Sequence, residues 1–231
     1  MEAIVDMAHN PLEEYFRKND GKLIHKWLHY FEIYDRHFNK YRNKPVTILE
    51  FGVFQGGSLQ MWRHYFGKKA RIIGVDINPK CKELEEKGID IRIGDQEDRD
   101  FLKKLMRDIG PVDVVIEDGG HTMAQQVNTF EEVYPYVKDG GVFLIEDLHT
   151  SYWSDYDGGY RKNSSFIEYS KNIIDDINAW HSHDQESFKV NKYTKSVGGM
   201  HVYDSIIVFD KALISEPSHK MTGKKTIGWD E

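Results

Sequence analysis

Between Pro45 and Asp147 the chain alternates short β-rich apolar runs with segments of helical spacing, and that alternation limits what it can fold into. Val46–Phe51, Arg71–Asp76, Ile89–Ile93, a run over 112–117 and another over 141–146 read as strands. Between them, Leu59–Phe66, Cys81–Lys87, residues 98–109 and residues 123–137 read as helices. The last two carry Leu102, Leu105, Met106 and Ile109, then Val127, Phe130, Val133 and Val137, on one side. Strands alternating with helices pair in parallel, and both faces of the sheet are then covered. The predicted class is therefore α/β.

The flanks are different in character. Pro11–Phe38 reads as one or two aromatic helices, and Ser151–Ser165 as a polar, aromatic loop or lid. Phe166–Trp180 is expected to be a helix with Phe166, Tyr169, Ile173, Ile174, Ile177 and Trp180 on its buried stripe. Phe188–Tyr193 and Met200–Phe209 are expected strands, joined through Gly198-Gly199. With 231 residues, the expectation is a single domain over 1–231: a helical cap at 10–44, a core at 45–211 and a tail at 212–231.

Composition removes several function classes. A net charge of −7 argues against nucleic acid or an anionic membrane as partner, since both need a basic surface. The first thirty residues hold no unbroken apolar stretch, so neither a signal peptide nor a membrane span is expected, and the compartment is read as cytoplasmic. Cys81, the one cysteine, can form no internal disulfide and anchor no thiolate metal site; it is read as a bystander.

Two of the predicted strands end in acids: Val-Asp-Val-Val-Ile-Glu-Asp-Gly-Gly-His over 112–121, and Gly-Gly-Val-Phe-Leu-Ile-Glu-Asp-Leu-His over 140–149. If the runs are parallel neighbours, Asp118, Glu146 and Asp147 gather at one point. Crowded carboxylates repel one another and need a cation, and hard oxygen ligands favour Mg2+ or another hard divalent ion. His121 stands three residues after Asp118. An unperturbed imidazole titrates at roughly 6.5, which suits a general base. Glu117 is left unassigned, and His181 and His183 are read as a solvated loop. His149, Tyr152 and Trp153, just after the second acidic pair, are candidate acceptor contacts; the aromatic rings suit stacking on a sugar.

The earlier strands point to a nucleoside. Strand one runs into Glu50-Phe51-Gly52-Val53-Phe54-Gln55-Gly56-Gly57-Ser58, where Gly52 and Gly56 let the backbone approach a ligand. The spacing is Gly-x-x-x-Gly-Gly, neither the dinucleotide fingerprint nor a Walker loop, so the ligand is expected to lack a diphosphate. Asp76 ends strand two, where a carboxylate can accept from both ribose hydroxyls. Asp95 and Gln96 follow strand three, placed for an adenine ring. The sulfonium of S-adenosylmethionine would sit near Glu50 and the glycine loop.

These motifs resemble those of class I S-adenosylmethionine-dependent methyltransferases, and more narrowly the metal-dependent sugar O-methyltransferases of macrolide tailoring. The resemblance covers roughly residues 22–153 and is densest at His29–Tyr34, Leu49–Trp62, Gly94-Asp95-Gln96 and the two acidic motifs. Asp118-Gly119-Gly120-His121 is similar to that family's Asp-Gly-Ser-His, in which the aspartate binds Mg2+ and the histidine is the base; Gly120 replaces the serine. Ile145–Tyr152 resembles its second motif, whose Glu-Asp pair completes the metal site. The resemblance implies a Rossmann-like, seven-stranded, mostly parallel sheet in the order 3-2-1-4-5-7-6, flanked by helices, with the last strand antiparallel. It also implies cofactor contacts at Glu50, Gly52, Ser58, Asp76, Asp95 and Gln96. The expected activity is O-methylation of a sugar, glycoside, nucleotide sugar or similar polyhydroxylated acceptor, by a protein that can form homo-oligomers. Methyl transfer to an amine or phosphate oxygen, or a metal-dependent hydroxylase like the cephalosporin hydroxylases, are the alternatives.

Overall fold

The computed structural model describes residues 10–228; residues 1–9 and 229–231 of the expected single domain lie outside the described residues. Two short helices come first, α1 (Pro11–Arg17) and α2 (Tyr30–Phe38), joined by an irregular segment. The sheet is built from β1 (Thr47–Phe51), β2 (Arg71–Asp76), β3 (Ile89–Ile93), β4 (Val112–Glu117), β5 (Val137–Ile145), β6 (Val197–Tyr203) and β7 (Ile206–Lys211). Its order is β3-β2-β1-β4-β5-β7-β6, as the resemblance implied. The first five strands pair in parallel, while β7 runs antiparallel to both β5 and β6.

Alternation along each strand divides the core in two. Ile48, Val114, Val142 and Val208 face α2 and α3 (Gly57–Phe66), packing with Phe38, Trp62 and Phe66. Leu49, Val115, Phe143 and Phe209 face the other layer, formed by α4 (Arg99–Ile109), α5 (Met123–Val133) and α6 (Phe166–Asn178). Phe130 of α5 sits at the centre of that layer, its ring centroid 4.6 Å from Phe209 and 5.2 Å from Phe143. Thr122 and Gln125 close a capping box that fixes where α5 starts, immediately after His121.

Several boundaries differ from the sequence reading. Cys81–Lys87 is no α-helix; a 3-10 segment, Pro79–Leu84, takes its place. Pro135 cannot continue a helix, so α5 stops at Val133 and β5 begins already at Val137. Phe188–Tyr193 forms no strand, because the Asn191 side chain accepts from the amides of Tyr193 and Thr194 and turns the chain. The 200–209 run is instead the middle of a hairpin, split by Asp204-Ser205 with Ser205 at φ 60. Ile174 is 47% exposed, off the buried stripe of α6 that Phe166, Ser170 and Ile173 carry.

The parallel strands all present their carboxyl ends along one edge. Successive connections leave β1 and β4 on opposite sides there, which opens a crevice at the point where strand order reverses.

Candidate active site

Gly52 makes the crevice possible. It sits at φ +92, and a Cβ there would lie 1.8 Å from the carbonyl oxygen of Asp118, so only glycine lets the ends of β1 and β4 meet. The amides of Gly52 and Asp118 donate to Val75 and Phe51 carbonyls at 2.8 and 3.0 Å, locking both ends to the sheet. On one side of this junction is a cavity of about 380 Å³ walled by Gly52, Asp76, Asn78, Asp95, Gln96 and Gly119. A second, of about 270 Å³, is walled by Lys26, Val53, Ser58, Asp118, His121 and Asp147. Gly52, Phe54, Asp118 and Gly119 belong to both. A larger open cavity of about 990 Å³ around Arg63, His64 and Lys68 lies elsewhere and contains none of the predicted site residues.

The predicted cofactor residues fall into two groups. Asp76 and Asp95 wall the first cavity. Asp76 Oδ2 accepts from the amides of Val53 and Phe54 at 2.9 and 3.1 Å, so this carboxylate shapes the glycine loop while keeping lone pairs for a ligand. Gln96 is more committed than expected: its amide nitrogen donates to Glu117 at 2.7 Å and its oxygen accepts from the Gly120 amide at 3.2 Å. Its side chain therefore props the Asp118-Gly119-Gly120 turn. Glu50 is fully buried beneath the second cavity, accepting from Ser58 Oγ and Trp62 Nε1, each at 2.8 Å. Burial pushes its carboxyl up to about 7. Gly56, at φ 77, is the residue from which α3 starts.

Asp118, His121 and Asp147 converge, each offering a ligand atom within 4.8 Å of the others. His121 Nε2 lies 3.5 Å from Asp147 Oδ2 and 4.0 Å from Asp118 Oδ1. Its Nδ1 is buried without a hydrogen-bond partner. Burial lowers the imidazole below its ordinary range, against the pull of Asp147 and Glu146. The two carboxylates offer hard oxygen ligands that fit a hard divalent cation, with the imidazole standing beside them.

Glu146 is placed one layer deeper than that grouping, 1% exposed. Tyr34 donates to its Oε2 at 2.5 Å, and Lys26 Nζ lies 2.5 Å from its Oε1. The same ammonium contacts Asp118 Oδ2. The Tyr30 hydroxyl donates to Asp147 Oδ1 at 2.7 Å. Burial raises Asp118 to about 7 and Glu146 to about 8, with mutual repulsion adding to the second. Burial alone would lower Lys26, but Asp118, Glu146 and Glu50 hold it above the usual lysine range. The acids outnumber the ammonium, so a further cation would relieve the repulsion that remains.

Lys26 is absent from the sequence reading, and Tyr30 and Tyr34 enter it only within the His29–Tyr34 motif, with no role assigned. Their signal was a spacing of four, which continues the face of α2 back into the preceding segment. Glu117, left unassigned, is buried; one oxygen accepts from Gln96 and the other has no partner. His149, Tyr152 and Trp153 follow the second acidic tip as expected. The last two are each 50% exposed, and the His149 ring is 4.7 Å from Trp153 and 5.9 Å from Trp27. His181 and His183 are exposed and join no metal-competent grouping among the described residues. A separate grouping of His37, His201 and Asp210 lies on α2 and the β6–β7 hairpin.

Comparisons with known proteins place the chain beside methyltransferases. Residues 49–148 match the family model of a methyltransferase domain. Demethylmacrocin O-methyltransferase of Streptomyces fradiae is 34% identical over 207 residues, covering 84% of this chain and 52% of that protein. Mycinamicin VI 2''-O-methyltransferase of Micromonospora griseorubida is 34% identical over 196 residues, covering 80% and 49%. The chain thus spans about half the length of these curated relatives. A solved structure of the MycE methyltransferase from the mycinamycin pathway, in complex with Mg and SAH, matches with a TM-score of 0.78 at 31% identity, covering 88% of this chain and 54% of that one.

Proposed function

We propose that the chain, whose residues 49–148 match a methyltransferase domain, transfers a methyl group from S-adenosylmethionine to a hydroxyl of a sugar or similar polyhydroxylated small molecule, with a divalent cation at its acidic tips. The observation that carries this reading is the convergence of Asp118, His121 and Asp147 within 4.8 Å in the second cavity, with Asp118 also walling the first. The names of the curated relatives support a glycosylated acceptor.

The first cavity is assigned to the adenosine, with Asp76 and Asp95 as acceptors for its polar edges. The second holds the reacting end, over Ser58 and Gly52. Bound there, S-adenosylmethionine supplies an electrophilic methyl and a divalent cation supplies positive charge against a developing alkoxide. Asp118 and Asp147, backed by Glu146, would hold that cation.

His121 does the proton work. Being buried and pushed below its usual range, the imidazole is neutral near pH 7 and accepts the proton of the acceptor hydroxyl. The oxygen–carbon bond forms as the sulfur–methyl bond breaks, and the imidazolium left behind faces Asp147 at 3.5 Å. Tyr30 and Tyr34 fix the orientation of Asp147 and Glu146 through their hydroxyls. His149, Tyr152 and Trp153 form the rim on which a sugar ring stacks, and Trp27 extends it.

Incubation with methyl-labelled S-adenosylmethionine and a panel of glycosides and nucleotide sugars tests the reading. Label is expected on an acceptor oxygen with Mg2+ and not with excess chelator. Transfer that chelator leaves unchanged would overturn the cation's role.

A further inference from the structure

We propose that Lys26 is a built-in occupant of the seat between Asp118 and Glu146, so that a divalent ion bridging those carboxylates must displace it. The inference rests on the metal-dependent reading above and extends it to the segment that carries the lysine. Lys26 Nζ contacts Asp118 Oδ2 and sits 2.5 Å from Glu146 Oε1, with its side chain 2% exposed. Magnesium binds carboxylate oxygens at roughly 2.0–2.1 Å, and in a seat completed by Glu146 it would need the Asp118 Oδ2 and Glu146 Oε1 lone pairs that face the ammonium. Two cations cannot share those lone pairs at such distances. Each must exclude the other.

The segment bearing Lys26 is built so that it can yield. Residues 19–29 contain no helix or strand before the turn into α2. Leu23, Trp27 and Leu28 are each more than half exposed, so the apolar side chains flanking the lysine hold it in place weakly. Its other ties run through single side chains near its ends: Asn19 to the Lys22 carbonyl at 2.9 Å, Lys22 to the Leu84 carbonyl at 3.2 Å and to Glu86 at 3.9 Å, and His29 with the Asp204 carbonyl at 3.3 Å. Ile24 anchors it to the core, and the Lys22 and Leu23 carbonyls lie against Gly57 of α3. A lysine placed only to neutralise buried acids would be expected on a rigid element, since a buried ion pair with one partner lost is strongly destabilising.

Displacement also has a route to the acceptor. Trp27 follows Lys26 and stands edge-on to His149, 5.9 Å between ring centroids, in the aromatic rim. Withdrawal of the ammonium therefore moves an acceptor-facing ring, coupling metal loading to the shape of the acceptor site. Four carboxylates, those of Glu50, Asp118, Glu146 and Asp147, surround this point, so one ammonium is not enough to match them and a divalent ion is the better partner.

The test is a calorimetric titration of Mg2+ into the wild-type chain, Lys26→Met and Lys26→Gln, with hydrogen exchange of the wild-type 22–29 segment measured with and without Mg2+. Both variants are expected to bind Mg2+ about tenfold more tightly or better, within the ordinary range for coupled binding events. Exchange in 22–29 is expected to rise on Mg2+ addition to the wild type. Equal or weaker affinity in the variants would overturn the proposal, as would unchanged exchange if the variants fail to fold. Absence of Mg2+ binding in all three proteins would remove the metal reading and this proposal together, whereas equal binding in all three removes the proposal alone.

Discussion

His121 and Asp147 face each other at 3.5 Å, and both hold a left-handed backbone, at φ 61 and φ 56. Neither is glycine, so each conformation costs on the order of 1–3 kcal/mol that the surroundings must offset. Thr122 fixes the start of α5 directly after His121, and Thr150 Oγ1 contacts the carbonyls of both His121 and Asp147, at 3.2 and 2.8 Å. The strain is held where His121 meets Asp147.

His121→Ala should separate binding from chemistry. The imidazole touches none of the adenosine-side residues, so affinity for S-adenosylhomocysteine should stay within about twofold. Turnover should fall by roughly 10²–10⁴, the range expected when a general base is lost. Calorimetry and a label-transfer assay on one preparation measure both quantities.

Asp118→Asn keeps the shape of the side chain and removes its charge. The Mg2+ concentration for half-maximal activity should rise at least tenfold, since even outer-layer changes at metal sites cost roughly 10–100-fold. Turnover should fall with it. An unchanged metal requirement would place the cation elsewhere.

Tyr34→Phe leaves Glu146 Oε2 buried without its donor. An unsatisfied buried acceptor costs about 1–3 kcal/mol, and for a chain of this size each kcal/mol lowers Tm by roughly 2–4 °C. The loss should shrink when Mg2+ is present. Thermal melts with Mg2+ and with chelator compare the two states.

Stability in chelator should decline as pH rises from about 6.5 to about 8. Glu50 and Asp118 are raised to about 7 and Glu146 to about 8, so the folded chain binds more protons than the unfolded chain in this window. Their contribution is complete below the ordinary carboxylate range and drains away as pH climbs through the raised values. His37, lowered to about 4 by burial, acts oppositely but only below its unfolded value of 6.5. Mg2+ should flatten the slope above pH 6.5. Melts across a pH series, with and without Mg2+, give the answer.

What was legible in the sequence follows the range of the interactions. Asp118 and His121 are neighbours in sequence, and an apolar run that stops at an acid marks a strand end wherever it falls, so the acidic tips could be read directly. The sheet order came from motif resemblance, because no local pattern says which strands pair. Lys26 and Tyr34 reach Glu146 across 120 and 112 residues, and nothing near them in sequence signals an acid waiting on β5. Gln96 reads as a ligand contact because it follows a strand; its commitment to Glu117 depends on β4, three positions away in the sheet from β3. The hairpin was misread because the two strands form one apolar stretch broken only by Asp204-Ser205.

The most direct test of the account is calorimetric titration of S-adenosylhomocysteine into the wild-type chain and into Asp76→Ala in the presence of Mg2+. One site per chain is expected in the wild type, with affinity reduced at least tenfold in the variant, since the proposed hydrogen bonds from Asp76 to the ribose would be lost. No heat from the wild type at high micromolar ligand would contradict the account at its root.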